Sequence, residues 1–316
     1  MSFLARMIIY LVLRMVLRIP APILFTLLLI FQAGLVVTGG AVRLTGSGLG
    51  CPTWPECTDG SIAPIVNQAE GPLHAWIEFG NRLLAWVIFF LAIAALIYVV
   101  RKFKSHKDYK RLRLLALLQI LGFLGQVVLG GITVLTKLHP ISVSAHFVLT
   151  IPLIAGALSL RRGALDKPVL LVAPVTRLLI KIVTVVGFMV LVLGTLVTGT
   201  GPHSGDENSR RYSFDERTIS WIHADLVIAF VFLTIALYFV VKVSESAGNQ
   251  KYLSRYILVL LIVSLSQGTI GYIQYFTGLP ILLVGSHLLG ATLVWIATWR
   301  INLAGRDMTD RNRVNA

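Results

Sequence analysis

Eight apolar stretches constrain what this chain can fold into. They lie near residues 20–42, 74–100, 113–136, 140–160, 172–199, 218–242, 253–276 and 280–302. Each supplies the ~20 mostly apolar residues that a helix needs to cross a bilayer. In lipid, backbone amides and carbonyls must be satisfied within the segment, so such runs become helices. Only 13% of the 316 residues are charged, against ~25% in an average soluble domain. The expected fold is an all-α membrane protein with eight transmembrane helices. The first run follows Arg6, Arg14 and Arg18 and is not trailed by a small-residue cleavage pattern, so it reads as a retained helix.

The net charge of +14 does not point to nucleic acid, because the basic residues gather at alternate helix ends. Arg101, Lys102, Lys104, Lys107, Lys110, Arg111 and Arg113 lie between the second and third runs. Arg161, Arg162 and Lys167 separate the fourth from the fifth, and Lys242, Lys251 and Arg255 the sixth from the seventh. The tail adds Arg300, Arg306, Arg311 and Arg313. Residues 45–73 hold Glu56, Asp59 and Glu70 and neither Lys nor Arg. Basic loops stay in the cytoplasm, which places both termini there and the 45–73 segment outside a plasma membrane.

An internal repeat divides the chain. GLVVTGG at Gly34–Gly40 recurs as GTLVTGT at Gly194–Thr200, an offset of 160 residues. Gln126 precedes His146 by 20 residues, as Gln267 precedes His287, now at an offset of 141. Two four-helix halves follow, residues 1–168 and 169–316. Because each has an even number of spans, they insert in parallel and are related by an axis along the membrane normal. The change in offset leaves about 19 extra residues in the first half, between its first two helices. That extra piece is the outer loop with both cysteines.

Ionisable residues inside apolar runs are expensive and usually paired, ligating or functional. His287 lies in LPILLVGSHLLGATLVW, His223 in TISWIHADLVIAF and His146 in SVSAHFVLTIPL. Each is five to seven residues into a helix that starts outside, so all share a depth of roughly 10 Å. A lone intramembrane histidine is more often a helix–helix hydrogen bond. Two at matched depth on neighbouring helices of one repeat suit ligation of one haem iron, since imidazole is the commonest metal ligand. Asn81 occupies the repeat position of His223, at an offset of 142. His74 is interfacial, His106 lies in a basic loop, and His139 and His203 fall in outer loops.

Glu78 and Arg82 are four apart on one helix face, which reads as an ion pair or, for Glu78, a proton carrier. Arg43, at the outer end of the first run, either snorkels or pairs with an acidic group such as a haem propionate. Cys51 and Cys57 are the only cysteines, in C-P-T-W-P-E-C. An oxidising compartment favours a disulfide there, structural or redox-active, and two thiols cannot fill a structural zinc site.

These features together resemble the heme A synthase family over nearly the whole chain. The resemblance rests on eight spans in two halves, TGSGLGCPTWPEC after the first helix, IEFGNR in the second, and a histidine in helices four, six and eight. It implies an oxidoreductase that converts a methyl group of haem O to the formyl group of haem A, for terminal oxidases. It further implies His223 and His287 as axial ligands of a resident haem b in the second half. The first half then holds the substrate haem, with Glu78 required for turnover and Cys51–Cys57 as the outer disulfide. Implied partners are a haem O synthase, an electron acceptor and membrane lipid, with homo-oligomers left open and nucleic acid excluded. The family pattern E-x-x-H-R departs here at Asn81, leaving His146 as the single candidate ligand of the first half.

Two other classes compete. An electron-transfer cytochrome b also needs histidine pairs but has no use for Glu78 beside an incomplete histidine set. A parallel-repeat transporter predicts helices broken at mid-membrane. The charge pattern yields a direct test of sidedness. Impermeant thiol reagents applied to intact cells after mild reduction should label Cys51 and Cys57, and labelling only after lysis would invert the topology.

Overall fold

The computed structural model describes residue 7, residues 14–165, residue 167 and residues 169–307. Arg6, Arg311, Arg313 and both chain termini lie outside them. Eight long helices are present: α1 (Ala21–Leu44), α2 (Pro72–Lys102), α3 (Tyr109–Leu135), α4 (Pro140–Ala164), α5 (Pro174–Thr200), α6 (Glu216–Ser244), α7 (Ala247–Phe276) and α8 (Ile281–Ala304). All eight are long and apolar enough to cross a membrane. Several outrun the apolar stretches at the basic end, most clearly α7, whose first turn contains Asn249, Gln250 and Lys251. Hydropathy marks where lipid ends, whereas the hydrogen-bond ladder continues into the polar turn beyond it.

Local chemistry sets the starts. Pro72, Pro140 and Pro174 open α2, α4 and α5, where a missing N–H costs nothing. Asp215 caps α6, accepting from the Thr218 hydroxyl and amide at 2.7 and 2.8 Å. The Thr218 hydroxyl and then its amide hold the Asp215 carboxyl below its usual range.

Each set of four helices closes on itself: α1 packs on α2 and α4, and α3 on α2 and α4. The second set repeats this with α5, α6, α7 and α8. Across the sets, α1 meets α8 and α4 meets α5, with α4 and α8 also touching. Since α1 corresponds to α5 and α4 to α8, these cross-contacts exchange under a two-fold rotation.

The apolar core lies mainly toward the basic end. One cluster, with Phe25, Leu28, Ile88, Leu112 and Leu160, fills the first set. A second, with Ile180, Phe230, Leu237, Ile257 and Ile301, fills the other. Val36, Ile151, Ile154, Leu191 and Trp295 seal the two together. Two buried glutamines there are partnered. Gln32 donates to Gln119 at 3.0 Å, and Gln119 donates to the Leu153 carbonyl at 3.1 Å. Pro152 sits inside α4, which nevertheless runs on as one helix. Side chains reach the carbonyls on either side of it, with Trp295 Nε1 donating to Ile151 at 2.9 Å. Such substitute partners make proline tolerable at membrane depth.

The hydropathy pattern gave no sign of β structure, yet Leu170–Val172 and Gly305–Asp307 form a short parallel pair, Leu170 opposite Gly305. It joins the α4–α5 link to the end of α8. Segments this short leave no hydropathy signature, and their pairing is set by tertiary proximity.

Candidate functional site

The three histidines share one construction. His146 of α4 lies against Gly130 of α3, His223 of α6 against Gly194 of α5, and His287 of α8 against Gly271 of α7. A Cβ added at these glycines would lie 3.4, 3.4 and 3.3 Å from the respective ring Cε1 atoms. Glycine thus provides a floor on which the imidazole lies flat against the neighbouring helix. In all three rings Nδ1 is enclosed and makes no hydrogen bond. Nε2 is not among the enclosed atoms, so it is the nitrogen left for a ligand. His223 and His287 stand on α6 and α8, each of which packs against both α5 and α7.

The histidines stand where the core stops. In α7 the buried residues end at Gln267, in α8 none precedes Gly290, and in α6 only Ile219 lies ahead of Phe230. In α4 nothing is buried between Ser142 and Ile151, which brackets His146. The helices pack tightly toward the basic end and loosely around the imidazoles. Among the described residues no group of three or more His, Cys, Asp or Glu could hold a bare metal ion. Haem iron differs, since its macrocycle supplies four ligands and the protein only axial ones. Two imidazoles on facing helices, each with one nitrogen turned to backbone and one accessible, have the right donor set, and loose packing around them fits a large flat ligand.

The fourth position breaks the pattern. Gly34 of α1 corresponds to Gly194, but an added Cβ there meets nothing within 4 Å. Its partner would be Asn81 of α2, whose Oδ1 accepts from the Thr38 hydroxyl at 2.7 Å. The carboxamide is drawn aside to Thr38.

Glu78 and Arg82 form an ion pair at 2.7 Å, and Glu78 is 6% exposed. Both Glu78 oxygens are engaged: Oε1 accepts from Arg82 Nε and Nη2, and Oε2 accepts from the Cys51 amide at 2.7 Å. Arg82 also donates to the carbonyls of Cys51, Thr53 and Glu56 at 3.0, 3.2 and 3.1 Å. The pair therefore fastens the loop between the cysteines onto α2. Cys51 and Cys57 are disulfide-bonded. Trp54 of the loop lies over Gly131 of α3, beside the glycine under His146.

Arg43 donates to the Thr198 carbonyl, bridging α1 and α5, while its Nε is buried without a partner. His74 Nδ1 is 2.9 Å from Ser47 Oγ, His203 Nε2 is 2.8 Å from the Leu279 carbonyl, and His139 caps α4. His106 Nδ1 accepts from the Asp108 amide at 3.0 Å. None of these four joins the imidazole layer. Sequence reasoning passed over the floor glycines, although Gln126–Gly130 and Gln267–Gly271 share the same Q-x-x-x-G spacing. It also passed over Asp225, exposed two residues beyond His223 and about 200° around α6 from it.

The chain is an eight-helix membrane bundle with three imidazoles layered between paired helices. The sequence profile of the cytochrome oxidase assembly protein family, COX15-CtaA, matches residues 22–299, and the chain belongs to that family. Heme A synthase of Geobacillus kaustophilus is 31% identical over 117 residues, 37% of this chain and 34% of the relative. That of Geobacillus thermodenitrificans is 28% identical over 119 residues, 38% and 35% of the two chains. That of Lysinibacillus sphaericus is 33% identical over 129 residues, 41% and 39%. The chain spans little more than a third of the length of these curated relatives.

The clamp makes a prediction of its own. Arg82→Ala removes the partners of three loop carbonyls and one Glu78 oxygen. Dithiothreitol should then reduce Cys51–Cys57 several-fold faster than in the unaltered protein, followed by alkylation and mass measurement. An unchanged rate would mean the loop does not depend on Arg82.

Proposed function

We propose that this chain makes haem A by oxidising a methyl substituent of haem O to a formyl group, with haem O as substrate. The observation that carries the proposal is the facing pair His223 and His287. Their Nδ1 atoms are enclosed over glycines and their Nε2 atoms accessible, at the level where the second core ends. In this reading residues 169–316 hold a resident haem b through His223 and His287, and residues 1–168 receive the substrate near His146. A resident haem supplies one-electron transfer. The chain's own residues do the rest. The floor glycines set the plane and depth of the imidazoles. Arg43, at the outer end of α1, pairs with a haem propionate in this reading. Oxidising a methyl to a formyl group also moves protons, and Glu78, three residues before Asn81 on α2, is the first-half carboxylate assigned to take one. Haem O comes from a haem O synthase and the electrons leave to an acceptor. The basic ends face the cytoplasm and the disulfide loop faces outward in a plasma membrane.

A plain electron-transfer cytochrome b shares the histidine pair. Haem extraction from cells lacking and regaining the gene separates the two: the proposal expects haem O without the gene and haem A on its return. No change in haem A would reject it. His223→Ala and His287→Ala should each abolish the six-coordinate low-spin spectrum of purified protein, and full retention in either would remove that ligand.

Glu78→Gln keeps an acceptor for the Cys51 amide while removing the charge. The second-half haem should bind normally and haem O should accumulate. Haem A at the usual rate would reduce Glu78 to a loop clamp.

Asn81 gives the last expectation here. A carboxamide is a poor iron ligand beside imidazole, and Thr38 draws Asn81 aside. Haem added to protein with a filled second site should give a high-spin, five-coordinate or water-ligated component. Asn81→His should convert it to low spin and slow product release. Two bis-histidine low-spin haems in the unaltered protein would show that another histidine ligates.

A further inference from the structure

We infer that Trp54 is the aromatic wall of the first-half haem site, placed by the disulfide loop to contact the substrate macrocycle beside His146. The inference rests on the proposed substrate site and assigns it a contact residue. Four observations carry it. First, the loop belongs to the first half alone, where it accounts for the shift in repeat offset from 160 to 141. Second, Trp54 lies on Gly131, with an added Cβ there only 2.7 Å from ring atom Cδ2, while adjacent Gly130 is the floor of His146. The indole and the imidazole therefore occupy neighbouring faces of α3. Third, Arg82 holds the carbonyls of Cys51, Thr53 and Glu56, on both sides of Trp54, so the direction of the ring is fixed by α2. Thr53 Oγ1 adds a bond to the Glu56 carbonyl at 3.0 Å. Fourth, with one face on α3, Trp54 remains 38% exposed, so it has surface to offer a ligand.

The second half solves the same position differently. The counterpart of Gly131 is Tyr272, which grows from α7 itself and stacks on Phe276 with ring centroids 6.4 Å apart. A ring built into a helix suits a haem that stays. A ring delivered by a separate loop onto a glycine suits a haem that enters and leaves, because loop displacement opens the site without disturbing the bundle. Flat aromatic contact with a macrocycle favours offset stacking or edge contact, and either depends on the fixed direction Arg82 imposes.

The test uses full-length protein with the second site filled, and ferric haem b as probe. In the unaltered protein, binding at the first site should quench a tryptophan emission component that is absent from Trp54→Phe. Trp54→Ala should release first-site haem to apomyoglobin about tenfold faster, while Trp54→Phe stays near the unaltered rate and the His223–His287 spectrum is unchanged in both. Mass measurement of an intact Cys51–Cys57 bond and that unchanged spectrum verify folding. If haem binds at the first site but quenching and release are the same in all three proteins, Trp54 does not touch it and the inference falls while the site stands. Equal acceleration at both sites would likewise overturn it, as a general packing defect. If the unaltered protein takes up no haem at the first site, both the inference and the site reading fall.

Discussion

An imidazole in a lipid bilayer persists only where something satisfies it, and here a glycine on the facing helix decides what that is. Any side chain larger than hydrogen at Gly130, Gly194 or Gly271 would press on the ring carbon 3.3–3.4 Å away. With glycine, the ring lies against the helix backbone and encloses Nδ1, while Nε2 remains open. That division fixes the plane of each ring by packing and leaves Nε2 as the nitrogen a ligand can reach. The tight cores at the basic end serve the same purpose. They hold the odd-numbered helices at a fixed distance from the even-numbered ones, so that each glycine and its histidine keep their register.

Duplication explains why the construction appears three times, and divergence explains why it does not appear a fourth. In each pair the odd helix brings the glycine and the even helix the histidine: α3 with α4, α5 with α6, α7 with α8. Between α1 and α2 the glycine survives at Gly34, but Asn81 turns to Thr38 and nothing covers the floor. Two imidazoles share the second set and one stands in the first. An electron carrier profits from two fixed ligands because its geometry then changes little with oxidation state. A ligand that must be exchanged profits from one.

Hydropathy alone located all eight helices, because lipid enforces helix formation on apolar runs and the boundaries differ only where polar turns extend the ladder. The histidine layer was equally legible, since a matched position in three helices translates directly into matched depth at a fixed rise per residue. The loop was not. Its cysteines were visible, but that Glu78 would accept from the Cys51 amide, and that Arg82 would gather three loop carbonyls, depends on the chain folding back onto α2. On sequence, Glu78 and Arg82 read as an i, i+4 ion pair with Glu78 a candidate proton carrier, and nothing tied either to the loop. Asn81 announced its departure from the repeat, yet its turn toward Thr38 is a contact between residues 43 apart and leaves no local trace. The short parallel pair at the basic end escaped for the same reason.

The ion pair on α2 also shows why the loop and the chemistry cannot be separated. Moving two charges out of water costs more than their attraction returns unless further hydrogen bonds occupy the remaining donors and acceptors. Glu78 and Arg82 obtain these from loop backbone, and the loop backbone in turn obtains partners it could not find in lipid. Each therefore stabilises the other: the charges are tolerated because the loop is there, and the loop lies against the bundle because the charges are there. Glu78 is one helical turn from Asn81, and Arg82 is its immediate neighbour. Any proton accepted by Glu78 would weaken its hold on Arg82 and on the Cys51 amide together, and so loosen the segment that carries Trp54.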